Sequence, residues 1–103
     1  MKINENGTYA LNPKYKEIIR LAAMLKENNV THTFERMYDG WQIRVYVGKK
    51  MIGDVIEHYA SYGSDADMLE SMGFGKDVLG CRSAEECLAL VKKAVGRKDR
   101  HYA

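Results

Sequence analysis

Apolar and polar positions alternate along the chain with two distinct periods. Ile18, Leu21, Ala22 and Leu25 recur at three- and four-residue spacing while Lys14, Glu17 and Lys26 fall on the other side, which predicts a helix from about Pro13 to Asn28. Asn12 before Pro13 suits its start, because asparagine can accept an orphan amide and proline at the first helical position forfeits no bond. Asn28 and Asn29 suit a left-handed turn at its end. Thr31 to Met37 is rich in β-branched and aromatic residues and leads into Asp39-Gly40, a hairpin signal. Trp41, Ile43, Val45 and Val47 then alternate with Gln42, Arg44 and Tyr46. That strand should lay its apolar face under the first helix and leave the Gln42, Arg44 and Tyr46 face open or turned to a partner. Gly48-Lys49-Lys50 reads as a second turn into a third strand, Met51 to His58.

Beyond Ser61 the alternation breaks. Ser64 with Asp67 resembles a helix cap, and Leu69 with Met72 gives an apolar side to a short helix ending at Gly73. Phe74 to Cys81 has room for a short extended segment at Val78-Leu79. Ser83 with Glu86 is a capping box; Ala84, Cys87, Leu88, Val91, Ala94 and Val95 follow on one face, and Gly96 is placed to end that helix. The expected fold class is therefore α+β: a two-layer sandwich with a three-stranded antiparallel sheet packed by two long helices, in the order α-β-β-β-short α-α.

Composition bounds this picture. A chain of 103 residues, 46% apolar and 29% charged, builds one core, so a single domain is expected over 1–103, ordered from about 12 to 96 with polar termini. No apolar run approaches the roughly 20 residues that span a bilayer, and the opening MKINENGTYALN lacks the apolar stretch of a signal peptide, which makes the cytoplasm the expected location. The net charge of +2 conceals a segregation: residues 1–50 carry a balance of +4, residues 51–91 of −6, and residues 92–103 of +4. Such asymmetry speaks to association and steering.

Chemistry-bearing residues are few. Asp54, Glu57 and His58 form the densest set of metal-competent side chains, but along a strand Glu57 falls on the face opposite to Asp54 and His58. The ordinary reading is a charged strand end beside Arg36 or Arg44; the chemical one is a metal-dependent hydrolase, which needs a further ligand from His32 or Asp39. Cys81 and Cys87 have neither disulfide-framework nor zinc spacing; Cys87 lies on the apolar stripe of the last helix, and Cys81 beside Arg82 is the more accessible thiol. Gly73-Phe74-Gly75-Lys76 lacks the frame of a phosphate loop. No cofactor is expected. Among the aromatic residues Trp41 is assigned to the core, and Tyr46 and Tyr62 to the surface, where rigid amphipathic rings favour binding.

At DGWQI (Asp39 to Ile43), DVIEHYASYG (Asp54 to Gly63), DADMLESMG (Asp65 to Gly73) and the closing SAEECLALVKKA, the chain resembles a family of small uncharacterised proteins encoded in phages and prophages of Gram-positive bacteria, over roughly residues 14 to 95. That resemblance implies a phage-borne accessory function in the bacterial host cell and brings no catalytic residue with it. The helix, three-strand, helix order is also similar to a double-stranded RNA-binding domain, but here the last helix begins Ala84-Glu85-Glu86, which repels phosphate.

The leading expectation is a non-enzymatic binding protein, an inhibitor of a bacterial defence system in the manner of an anti-CRISPR protein. Its partner-binding residues are expected to be Tyr46, Glu57, Tyr62, Asp65, Asp67 and Glu70, on a host or phage protein. The alternative is a nucleic-acid-binding module using Arg44, Lys49, Lys50, Lys92, Lys93, Arg97, Lys98 and Arg100. Two sheet edges also leave homodimer formation open.

Overall fold

The computed structural model of the protein describes residues 15–61, 63–74 and 79–102. Helix α1 (Lys16–Glu27) leads into strands β1 (His32–Met37), β2 (Gly40–Val47) and β3 (Lys50–Glu57); a three-residue 3-10 turn (Ser64–Ala66) precedes β4 (Leu69–Met72) and β5 (Leu79–Arg82), and helix α2 (Ala84–Tyr102) closes the chain. Among the described residues the strands form one antiparallel meander in sequence order, β1-β2-β3-β4-β5. The fold is α+β with an antiparallel sheet and two helices, as expected, but the sheet has five strands where three were read.

Register fixes which side chains share a face. Ile43 pairs with Val55, which pairs with Ser71; Trp41 pairs with Glu57, and Val45 with Gly53. This row of positions faces the helices. Ile18, Leu21 and Leu25 from α1, Ala84, Cys87, Val91 and Ala94 from α2, and Ile43, Val45, Val55 and Leu69 from the sheet form the buried core. Trp41 is packed against that core half-buried, its ring stacked on Phe34 at 4.4 Å and lying under the Arg36 guanidinium at 5.0 Å.

Strand β4, in place of the expected short helix, has a local cause. Leu69 and Met72 stand three apart, a helical spacing, yet Leu69 is buried under the helices while Met72 lies on the other side of the sheet, the period of a strand. Asp67 takes the left-handed conformation (φ 55°) and ends the 3-10 turn after one winding, without a side-chain cap. Close approach then seats β4: a Cβ on Gly73 (φ 97°) would come within 2.6 Å of the Ile52 carbonyl, and one on Gly53 within 2.7 Å of the Phe74 ring. The extended segment expected at Val78-Leu79 is the start of β5, with 75–78 outside the described residues.

At the helix ends, Asn29 is left-handed (φ 57°), as read. The proposed Asn12-Pro13 start lies outside the described residues. Gly96 does not end α2, which continues to Tyr102. Glycine stops a helix when it turns left-handed, and Gly96 stays right-handed, at a cost of about 1 kcal/mol relative to alanine. The Ser83–Glu86 capping box is present: the Glu86 amide donates to Ser83 Oγ (3.2 Å) and the Ser83 amide to Glu86 Oε1 (3.0 Å).

Both helices begin at the same end of the sheet. Glu17, in the first turn of α1, accepts the Ala84 amide at the start of α2 (2.9 Å), so the packed helices run in the same direction. At the other end the Tyr46 amide donates to Thr31 O (2.9 Å), which places the exit from α1 beside the Gly48-Lys49 turn between β2 and β3.

Candidate functional site

The sheet has a covered face and an open one. On the open face, Thr33 lies beside Arg44, Arg44 beside Asp54 and Asp54 beside Met72; the adjoining row is Glu35, Gln42, Ile56 and Glu70; Tyr46 pairs with Met51. No described element packs over these residues. Met51 is 46% exposed and Met72 49%, and the Gln42 side-chain amide donates to Asp54 Oδ2 (2.9 Å). The expectation that Gln42, Arg44 and Tyr46 face away from the helices holds, although Arg44 and Tyr46 are half-buried by their neighbours. Two methionines, a tyrosine and an isoleucine, interspersed with Asp54, Glu70, Glu35 and Arg44, combine adaptable apolar contact with a net acidic charge.

Glu57 departs most from the sequence reading. It was placed on the partner surface, but it is fully buried on the covered face. Its Oε1 accepts the Ile18 amide (3.1 Å), an orphan donor in the first turn of α1, and its Oε2 has no hydrogen-bond partner among the described residues. Burial, only partly offset by the Ile18 bond, pushes its carboxyl from 4.5 up to about 7, with the Glu17 and Asp67 charges adding to the rise. Glu57 therefore serves α1 as a cap supplied by a distant strand.

Around it the β1–β2 turn and the loop after β3 interlock. The Tyr15 hydroxyl donates to Asp39 Oδ2, and the Tyr59 amide donates to Asp39 Oδ1 (3.0 Å). Burial together with that carboxylate raises the Tyr15 hydroxyl well above its ordinary value. His58 is buried; its Nδ1 accepts the Ala60 amide (3.1 Å) and its ring meets Tyr38 edge-on at 5.0 Å. Tyr38, 71% exposed, holds a left-handed φ of 54°, an uncommon conformation for a bulky residue. Tyr59, 62% exposed, packs beside it at 5.9 Å.

Asp54, Glu57 and His58 are not brought together: Asp54 bonds Gln42 on the open face, Glu57 caps α1, and His58 sits beyond the strand end. No group of three metal-competent side chains converges among the described residues. Cys87 is buried, and burial pushes its thiol up to about 12, which suppresses the nucleophilic thiolate. The Cys81 side chain lies outside the described residues.

Of the other expected partner residues, Glu70 is half-buried on the open face and Asp67 is exposed beyond it; Tyr62 and the Asp65 side chain lie outside the described residues. Lys49, Lys50, Lys92 and Lys93 are exposed. Arg97, Lys98 and Arg100 belong to α2, their side chains outside the described residues. Sequence reasoning passed over Met51 and Met72, and it favoured Tyr62 over Tyr38 and Tyr59. A signal existed for Met51, since it follows a tight turn at a position paired with Tyr46. No described helix is long and apolar enough to cross a membrane. No protein-family model, curated protein or solved structure matches this chain.

Proposed function

We propose that this chain is a non-enzymatic binding protein that engages a basic surface of a protein partner through its open sheet face. The observation that carries this reading is the asymmetry of the sheet: both helices cover one side, and the other presents Tyr46, Met51, Ile56 and Met72 among Asp54, Glu70, Glu35 and a single arginine, Arg44. The net acidic charge selects a cationic partner, and the apolar side chains interspersed with it supply burial once the charges have aligned the two surfaces. A nucleic-acid-binding groove of a host defence protein has that chemistry, and the resemblance to phage-encoded accessory proteins gives the reading its setting: an inhibitor acting in the cytoplasm of a bacterial host.

The test is site-specific photo-crosslinking. A crosslinker at position 46 or 72 should trap the same host protein, while one at position 89 on α2 should trap none of it. The double variant Asp54→Lys/Glu70→Lys should bind the trapped partner at least tenfold more weakly, at about 1.4 kcal/mol per tenfold. Unchanged affinity in that variant would remove the open face from the interaction.

A further inference from the structure

Three separate segments bring lysines toward the end of the sheet where α1 finishes, level with the middle of α2. Lys26 stands in the last turn of α1, Lys49 and Lys50 form the tip of the β2–β3 hairpin, and Lys92 and Lys93 project from α2. All five are exposed, and none makes an ion pair or side-chain hydrogen bond among the described residues. From its common start with α1, helix α2 is longer by seven residues (19 against 12), so its backbone runs about 10 Å further and carries Arg97, Lys98 and Arg100 onward. In the stretches 26–27, 48–50 and 92–96, Glu27 is the one carboxylate. The sequence blocks do not reveal this grouping; the parallel helices and the hairpin create it.

We propose that this lysine end binds the phosphate backbone of double-stranded DNA without reading its sequence. Uncommitted like charges repel one another, and a polyanion relieves that repulsion while releasing its own counterions. Ammonium groups at the tip of a hairpin and on a helix are point charges suited to phosphates, and they do not supply the planar, bidentate contacts that distinguish base pairs. A duplex is favoured over a single strand because single-strand binding relies on stacked bases, and the exposed rings of Tyr38 and Tyr59 sit at the opposite end. A B-form duplex is favoured over RNA because recognition of RNA draws on polar contacts to the 2′-hydroxyl, which lysine heads alone do not select. This surface adjoins the open sheet face at the Tyr46–Met51 pair, and the lysine variants test it apart from the Asp54→Lys/Glu70→Lys variant, so either assignment can fail while the other stands.

The experiment is fluorescence anisotropy of the full chain against two 20-base-pair DNA duplexes of unrelated sequence, the matching single strand and the matching RNA duplex, from 20 to 200 mM salt. Both DNA duplexes should bind equally, with a log–log salt slope of about −3.6 for four phosphate contacts, or roughly a hundredfold loss of affinity between 50 and 200 mM. Lys49→Glu/Lys50→Glu and Lys92→Glu/Lys93→Glu should each cut the slope by about half, and Tyr59→Ala, at the opposite end, should leave it unchanged. Absence of binding at 20 mM salt, tighter binding to the single strand or to the RNA duplex, or a slope that both lysine variants retain would overturn the proposal. Circular dichroism of each variant separates loss of binding from loss of fold.

Discussion

Where the helices begin, carboxylates are committed to backbone amides: Glu57 receives Ile18, Glu17 receives Ala84, and Glu86 receives Ser83. Toward the end of the sheet where α1 finishes, five lysines make no such commitment among the described residues. The carboxylates are favourable to the helix dipoles, since anions stabilise N-terminal ends, and of the lysines Lys26 alone stands in a last turn, where a cation is favourable. The difference lies in solvation. Glu57 is buried and its carboxyl rises to about 7, whereas Glu86 makes the same kind of bond in water and is held below its ordinary value by the Ser83 amide. One end is structural because its charges are desolvated and bonded; the other is free to bind because its charges are neither.

The sharpest way to break the structural end is through Gly40. A Cβ there would lie 1.9 Å from the Glu57 carbonyl oxygen, a backbone atom that cannot swing aside. Gly40→Ala should therefore force β2 away from the end of β3 and cost more than about 3 kcal/mol, beyond the usual range for overpacking. Chemical denaturation measures it, and a loss under 1 kcal/mol would mean that this junction is pliable.

The next effect is a pH dependence with a definite sign. The Glu57 carboxyl titrates near 4.5 when unfolded and near 7 when folded, so the native state holds the proton more tightly. Its contribution to stability is full below pH 4.5, declines as pH rises through 7 and is gone above that; the span is about 3 kcal/mol at most. Glu57→Gln retains an acceptor for the Ile18 amide and does not titrate. Urea midpoints from pH 4.5 to 8 should fall for the parent chain relative to this variant, which becomes the more stable of the two at pH 8. Parallel curves would show that Glu57 is solvated.

These two sites also mark how far the sequence could be read. The α1 stripe, the Trp41 to Val47 alternation and the Ser83–Glu86 box are local patterns, and each produced the element it announced. Gly40 was read as a turn residue, but its approach to the end of β3 is a property of the packed sheet. The carboxylate-rich stretch that begins at Asp54 points Glu57 to a binding surface; its actual partner Ile18 is 39 positions away, and no local pattern announces a cap delivered across that separation. Strand β4, at four residues, is too short for alternation to outweigh the three-residue spacing of Leu69 and Met72, which also fits a helix.

The link between the helices is weaker than the Glu57 cap. Glu17 accepts the Ala84 amide and also meets Arg20, which reaches on to Glu85. Glu17→Ala should cost about 1–2 kcal/mol, as loss of a helix cap does, whereas Arg20→Ala should cost clearly less because its ion pairs are solvated. Thermal melts of the two variants separate these roles. Equal losses would place the interhelical link in the ion pairs.

The smallest change in stability is expected at the lysine end, and there a null result is informative. Lys49→Gln/Lys50→Gln removes two positive charges from a turn whose conformation is set by Gly48 at φ 61°, with no bond from either ammonium group to lose. Stability should shift by no more than about 0.5 kcal/mol, in the stabilising direction if anything, because repulsion from neighbouring lysines is relieved. Raising the salt concentration should narrow that difference further, as screening already does part of what the substitution does. A loss above 1 kcal/mol would mean that the ammonium groups support the hairpin. The contrast between the two ends would then fail at its simpler half, and the lysines would no longer be spare charge awaiting a phosphate.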